Sequence, residues 1–595
     1  MQSKFVQAMQ SGALGAGLAL AVGAGCSSPL DVDSAQTLRQ SVVESAKREL
    51  RDAERRPSPA TVTRTPMELS FPPERTQELE AMAGPKAYSG EPLSMGPGLL
   101  GESSPIFQID LQQSVLRAAR QSLDVQRSRF DPAIREAQTV AARSAFDWTF
   151  FGEVDWNATD APQVQPFVGV TPVGVGVRQN QSVGYETGIR KRLTSGGAFS
   201  ISQGQTYTDD STPGTSVAPD PSERVFLDIA VTQPLLRGAG SDTALAEVRL
   251  AENTERRAVQ VYKSRLINTV TATEQSYWNL VQSYRELQIR RRLLARGIET
   301  RDVLSSRLSF DVKPAEYSDA VATVERRRAD VIRAENDLRQ RSDALKVLIN
   351  DDELTVGNET QLIPTDEAPE LAIQFSLLDS VTQALQHRPE VQQAILTIDD
   401  TSIRQVVADN ARLPLLDMSF RSRFQGLDRE TGEAYEQITD GRFVDFLVSA
   451  MFEQPIGNRG PEAEYRARQL ERMQATVEYR RVVQQVVLEV KTALRNVTTN
   501  YQLIEQTRAS RLAATENLRT LLVQEKTIQS LTPDFLDLKF RRQESLAQAE
   551  SAEQAALTDY NNSLAELYAA TGTALERNRI NFVVPDAGGN AGPAR

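Results

Sequence analysis

The chain has 595 residues, a net charge of −12, 40% hydrophobic and only 6% aromatic residues, and a single cysteine and a single histidine. Both signs of charge are interspersed along its length, which gives no reason to expect nucleic acid as a partner. It has no cysteine pair, no HExxH, no P-loop and no candidate catalytic triad, so neither an enzyme activity, nor a cofactor, nor a metal site is expected.

Residues 1–25 read as an export signal, with Lys4 as a weak positive start, an apolar run from Ala13 to Ala24, and small residues leading to Cys26. Gly23-Ala24-Gly25-Cys26 resembles the bacterial lipoprotein box, which makes Cys26 the expected lipidation site; plain secretory cleavage is the other reading. No later run of 18 apolar residues predicts a membrane helix. Residues 27–56 hold a short charged helical pattern (35–56), and 57–107 are rich in Pro, Gly, Ser and Met without a period. Segment 26–107 is therefore expected to be a lipidated N-terminus and disordered linker.

From there the sequence repeats itself. Ser114-Val115…Ala118…Asp124-Val125-Gln126 recurs 266 positions on as Ser380-Val381…Ala384…Glu390-Val391-Gln392. The first repeat spans 108–357 and the second 358–576, followed by a tail, 577–595. A helix is expected from Asp110, as N-cap, to about Phe146. Residues of alternating polarity then predict strands within 147–234: 148–157, 183–193, a Ser195-Gly196-Gly197 turn, 198–207 and 225–232. Gln233-Pro234 ends the last. Long helical patterns fill 242–349, turning at Pro314. The second repeat copies this with a helix over about 375–412, Pro389 lying in its first turn or at a break. Strands within 415–453 end at Gln454-Pro455, and helices over 458–570 turn at Pro533. A 68-residue helix would be about 100 Å long, which suits a rod or conduit rather than a compact domain. Strand-like runs of about ten residues separated by turns fit membrane β-strands. Lipid demands a closed barrel, and four to six strands cannot close one, so copies of the chain must assemble into a ring. Trp148, Phe150, Phe151 and Trp156 are candidates for an interfacial aromatic girdle or for ordinary wall packing.

The paired Ala-x5-Asp/Glu-Val motifs, Ala411-Arg412-Leu413-Pro414 before a strand, the two Gln-Pro strand ends and Gln233-Pro234-Leu235-Leu236-Arg237-Gly238-Ala239-Gly240, in this duplicated order, resemble the TolC-like outer-membrane efflux proteins. The resemblance covers about 107–575. It implies a mixed, mainly α fold: duplicated helix–strand–helix halves forming a trimeric outer-membrane β-barrel continuous with a long periplasmic coiled-coil barrel. It further implies a homotrimer set in outer-membrane lipid, a passive exit duct of a tripartite efflux or type I secretion system, working with a periplasmic adaptor and an inner-membrane pump. Trp148 departs from the pattern, standing where the second repeat has Pro414.

In the family, Asp-x-x-Asp after the second hairpin turn narrows the periplasmic entrance. Asp534 and Asp537 match it, and Glu316 and Asp319 occupy the equivalent place in the first repeat. Acids at i and i+3 share a helical face, so three copies would stack rings of carboxylates; acids after a turn proline are also ordinary helix N-terminal residues. The family's Tyr and Arg that latch the entrance are replaced by Glu525 and Ser530. The tips Val312, Lys313, Pro314, Leu531, Thr532 and Pro533 are the expected adaptor-docking positions. His387 is expected to be structural. The alternatives are a lipid-anchored coiled-coil envelope spacer and a periplasmic adaptor, neither with a pore. The substrate is not readable.

The repeat offset falls from 266 at the entry helices to 221 at the Gln-Pro ends. About 45 extra residues therefore lie between the first and last strands of the first repeat. Either they form an extra barrel hairpin, giving a trimer eighteen strands rather than the family's usual twelve, or a hairpin outside the wall.

Overall fold

The structure, a computed structural model, describes residues 48, 51, 60–61, 71–88, 96, 98–99, 101, 104–164, 167–172, 176–213, 217–308, 312–526 and 532–584. Its principal elements are α1 (Pro73–Ala83), β1 (Ile106–Ile109), α2 (Leu111–Gln121), α3 (Leu123–Arg143), β2 (Thr149–Pro162), β3 (Val177–Arg192), β4 (Ala198–Asp210), β5 (Ser222–Pro234), α4 (Ala246–Arg307), α5 (Pro314–Ile349), β6 (Gln361–Pro364), α6 (Leu377–His387), α7 (Pro389–Ala411), β7 (Leu415–Asp428), α8 (Thr431–Thr439), β8 (Val444–Glu453), α9 (Arg459–Glu525) and α10 (Pro533–Thr571). The chain divides into two compact units that cut across the repeats. One gathers residues 135–255 and 396–477, the other the described residues of 48–134, 256–395 and 478–584.

In the first unit β2–β5, β7 and β8 form one antiparallel sheet in the order β8-β7-β5-β4-β3-β2. The strands outrun the alternating sequence that predicted them. Alternation sorts the two faces. One cross-strand row reads Phe150, Ile189, Ile201, Ile229, Ser422, Phe446, and the next Lys191, Phe199, Val231, Phe420, Val448. On the opposite face a row reads Gly188, Ser202, Asp228, Arg423, Asp445. Asp228 is held there by Arg423 and lies 4.0 Å from Arg421. The candidate aromatic residues divide between the two faces. Trp148 packs edge-on to Phe199 at 5.9 Å with Lys191 over its ring, on the apolar face, whereas Phe151 points to the polar face beneath Arg190.

The second unit is helical. Buried positions on α9 include Tyr479, Val483, Val486, Val490, Ala493, Val497, Tyr501 and Ile504, with Val487 and Leu494 buried beside them. These steps of three and four residues are the seam of a coiled coil. A helix of 62 residues such as α4 would be about 93 Å long and gains its stability from such packing rather than from propensity. The return helices α5 and α10 start alike, with Pro314 and Pro533 at the first helical position. They end alike, on left-handed Asn350 (φ 49°) and Gly572 (φ 76°).

The entry helices are shorter than their sequence pattern. The Asp110 side chain does cap α2, accepting from the Gln113 N–H at 2.6 Å, but the helix breaks at Ser122. Its counterpart breaks at Arg388, just before Pro389. In both, the N–H at the break donates back to the motif alanine, Ala118 or Ala384. Both alanines are fully buried, and Val115, Val125, Val381 and Val391 are buried beside the same breaks. The duplicated motif thus encodes a bend, with a small residue where the chain doubles close.

The expectation of a disordered linker over 26–107 fails at residues 71–88. These fold and pack: Leu79 is buried, Glu80 pairs with Arg511 at 2.7 Å, and Arg292 lies over the Tyr88 ring and donates to the Ala87 carbonyl. The composition that suggested disorder missed the four apolar contacts made by Leu79, Met82, Ala83 and Tyr88. Nearby, β1 pairs in parallel with β6, tying the start of the first repeat to the connection between repeats.

Candidate functional site

The hairpin tips of the second unit carry the residues singled out by sequence. Leu304 from the end of α4, Val312 from the first hairpin turn, Ala320 from α5 and Leu536 from α10 share one buried cluster, with Tyr317, Phe535 and Phe540 against it. The two tips of a chain are thereby packed together, which places both acidic segments on neighbouring helix starts.

Each predicted acid has a distinct setting. Thr532 caps α10, accepting from the Phe535 N–H at 3.3 Å. Asp534 in its first turn is exposed, and Asp537 is exposed and pairs with Arg541 at 2.6 Å. Both partners of that pair are more than 60% exposed, so it is worth little in water. Asp319 is exposed; Glu316 is half-buried and its carboxylate accepts from the Lys313 N–H at 3.2 Å, closing the start of α5. Glu316 therefore has a structural task that the other three acids lack. Of the expected docking positions, Lys313, Pro314, Thr532 and Pro533 are exposed, whereas Val312 is 5% exposed and belongs to the tip core. Val312 is removed from the docking set on that ground. Leu531, Ser530 and Cys26 lie outside the described residues.

Glu525 accepts from Lys539 at 2.7 Å within its own hairpin. Lys539 is buried, and the pair bridges the end of α9 and the first turns of α10.

Above the tips lies an interior of buried charge that the sequence reading missed. Arg327 is 1% exposed and donates to the Leu293 and Phe540 carbonyls and to Gln543, while its guanidinium lies over Phe540. Burial lowers its pKa to about 10. Arg511 and Glu553, each 2% exposed, pair with one another. Arg508 joins them through Glu553 at 3.1 Å and Glu370 at 2.6 Å. One signal was available: Gly297 is the only glycine inside α4, and a Cβ there would stand 2.9 Å from the Arg327 guanidinium. His387 lies in the last turn of α6, 3.7 Å from Glu576.

A mainly α chain with duplicated helical hairpins, each preceded by antiparallel strands of one sheet, has the fold of the TolC-like outer-membrane factors. The Campylobacter jejuni CmeC outer-membrane channel superposes over 87% of this chain and 95% of its own, with a TM-score of 0.55 at 14% identity. The open state of the Neisseria gonorrhoeae MtrE outer-membrane channel matches over 78% and 89%, with a TM-score of 0.53 at 18% identity. The Vibrio cholerae outer-membrane protein VceC matches over 78% and 96%, with a TM-score of 0.52 at 12% identity. These likenesses are of fold. No protein-family model and no curated protein sequence matches the chain.

Proposed function

We propose that the protein is a passive outer-membrane exit duct, a homotrimer that works with a periplasmic adaptor and an inner-membrane pump in efflux or type I secretion. The observation that carries this reading is the six-stranded sheet with one apolar and one polar, charged face. A spacer or an adaptor has no use for such a wall, and a membrane-spanning sheet must close with copies of itself. The likeness to solved outer-membrane channels supports it. Lipidation of Cys26 would add an anchor, though one acyl chain binds membranes only weakly and stable anchoring needs a second contact.

Asp534 and Asp537 are proposed as the entrance rings. Both are exposed on one face of the first turns of α10 and three copies would bring six carboxylates together, a ring that favours cations. Asp319 is assigned a secondary place beside them. Glu316 completes the cap of α5 and is proposed to shape the tip rather than to line it. Lys313, Pro314, Thr532 and Pro533, with Leu531, are proposed to meet the adaptor. In a planar bilayer, Asp534→Ala with Asp537→Ala should raise single-channel conductance and weaken cation preference by a few-fold. Unchanged conductance and selectivity would remove the gate assignment.

A further inference from the structure

The inserted hairpin β3–β4 sits inside the sheet. Every residue of β4 from Ala198 to Thr208 pairs with β5, and β3 pairs with β2 along fourteen positions. We infer that the assembled protein closes as an eighteen-stranded barrel, β2 of each copy pairing antiparallel with β8 of the next. This rests on the homotrimer proposed above.

Three observations carry it. First, the apolar row crosses the insertion without a gap: Ile189 and Ile201 stand between Phe150 and Ile229. A hairpin folded off the wall would break that band, and its polar partners Gly188 and Ser202 would have no face to share with Asp228. Second, the loop helix α8, from the other repeat, fastens onto the insertion. A Cβ at Gly426 would stand 1.9 Å from the Ala434 carbonyl oxygen, so α8 lies directly on β7. From there Tyr435 reaches Gln203 at 2.5 Å and Tyr185 at 3.3 Å, and Gln205 donates to Thr431 at 3.3 Å. Those contacts exist only with β3 and β4 in register beside β5. Third, the sheet ends on β2 at one edge and β8 at the other. Six alternating strands leave these two antiparallel, so a second copy continues the ladder with the same faces outward. In hydrocarbon the unpaired edge groups must find such a partner, and each edge presents aromatic or branched residues to the apolar face, Phe150 and Trp156 on β2, Phe446 and Phe452 on β8.

Barrel diameter grows roughly linearly with strand number, so three copies of six strands make a wall about 1.5 times as wide as one of twelve. The outer mouth would then admit larger solutes than a twelve-stranded relative's.

Electron cryo-microscopy of the full chain in lipid nanodiscs tests this. A three-fold ring with eighteen strands in the membrane belt is expected. Twelve strands, whether from two copies or from three with residues 177–210 outside the wall, would overturn it. A disulfide between Ser200→Cys and Ala230→Cys, partners across β4 and β5, gives an independent readout on membrane-assembled protein. Formation is expected, and its failure in correctly assembled rings contradicts the inference. Conductance separates the two proposals: a closed ring of eighteen strands that passes no ions defeats the duct reading alone, and a conducting ring of twelve defeats the strand count alone.

Discussion

Buried arginines set the demands at the scale of single residues. Glycine inside a helix normally costs about 1 kcal/mol relative to alanine, so Gly297→Ala should stabilise α4 if helix propensity decided. The added methyl would meet an Arg327 guanidinium held by three acceptors at 1% exposure, and such overpacking costs about 1–3 kcal/mol. Gly297→Ala is therefore expected to lower the melting temperature, and to raise it when combined with Arg327→Ala; two additive effects in a double-mutant cycle would contradict the account. Glu550 poses an electrostatic question. Its neighbours Arg292 and Arg296 on α4 and Arg511 on α9 pull its pKa down, Tyr88 faces it, and Oε1 has no hydrogen-bond partner; burial is the larger effect and raises the pKa above the usual carboxyl range. A carboxyl raised in the folded state stabilises most when protonated. That contribution is full below the ordinary glutamate range and is lost as pH rises through the raised value. Glu550→Gln should thus raise thermal stability at pH 8, leave it little changed at pH 4, and flatten the profile between. A loss of stability at pH 8 would show that the arginines outweigh burial.

Among the elements, the most instructive is the one that composition concealed. Residues 57–107 read as an unstructured linker because Pro, Gly and Ser dominate, yet α1 docks through Leu79 and the Glu80–Arg511 pair. Burial of so few side chains leaves no periodic signal. Leu79→Ala should cost about 2–5 kcal/mol and release the segment to limited proteolysis; unchanged melting and cleavage would mean α1 contributes nothing in solution. Elsewhere the elements were legible where a period was long. The long helical patterns of α4 and α9, the alternating strands and the turn prolines Pro314 and Pro533 all declare themselves by spacing. The bend at Ser122 did not, because a helix broken at one residue keeps nearly the same apolar stripe on both sides, whereas Pro389 offered the break at Arg388 as one of two readings. The tip acids were readable as residue types at a helix start, but the capping role of Glu316 and the burial of Val312 depend on tertiary packing that no spacing reports.

At the scale of the whole molecule, a duplication supplies two helical hairpins and two pairs of strands, and an insertion confined to the first repeat adds a third pair to the same sheet. The helices and their tips kept the repeat register while the wall changed. As proposed above, this chain assembled with its copies is a closed-walled conduit rather than a brace. Planar-bilayer recording of the purified full-length protein is the decisive measurement. Discrete, ohmic conductance steps that vanish when the sheet edge is blocked by proline at Val154 are the predicted result. A folded, membrane-inserted protein that passes no current at any voltage would contradict it.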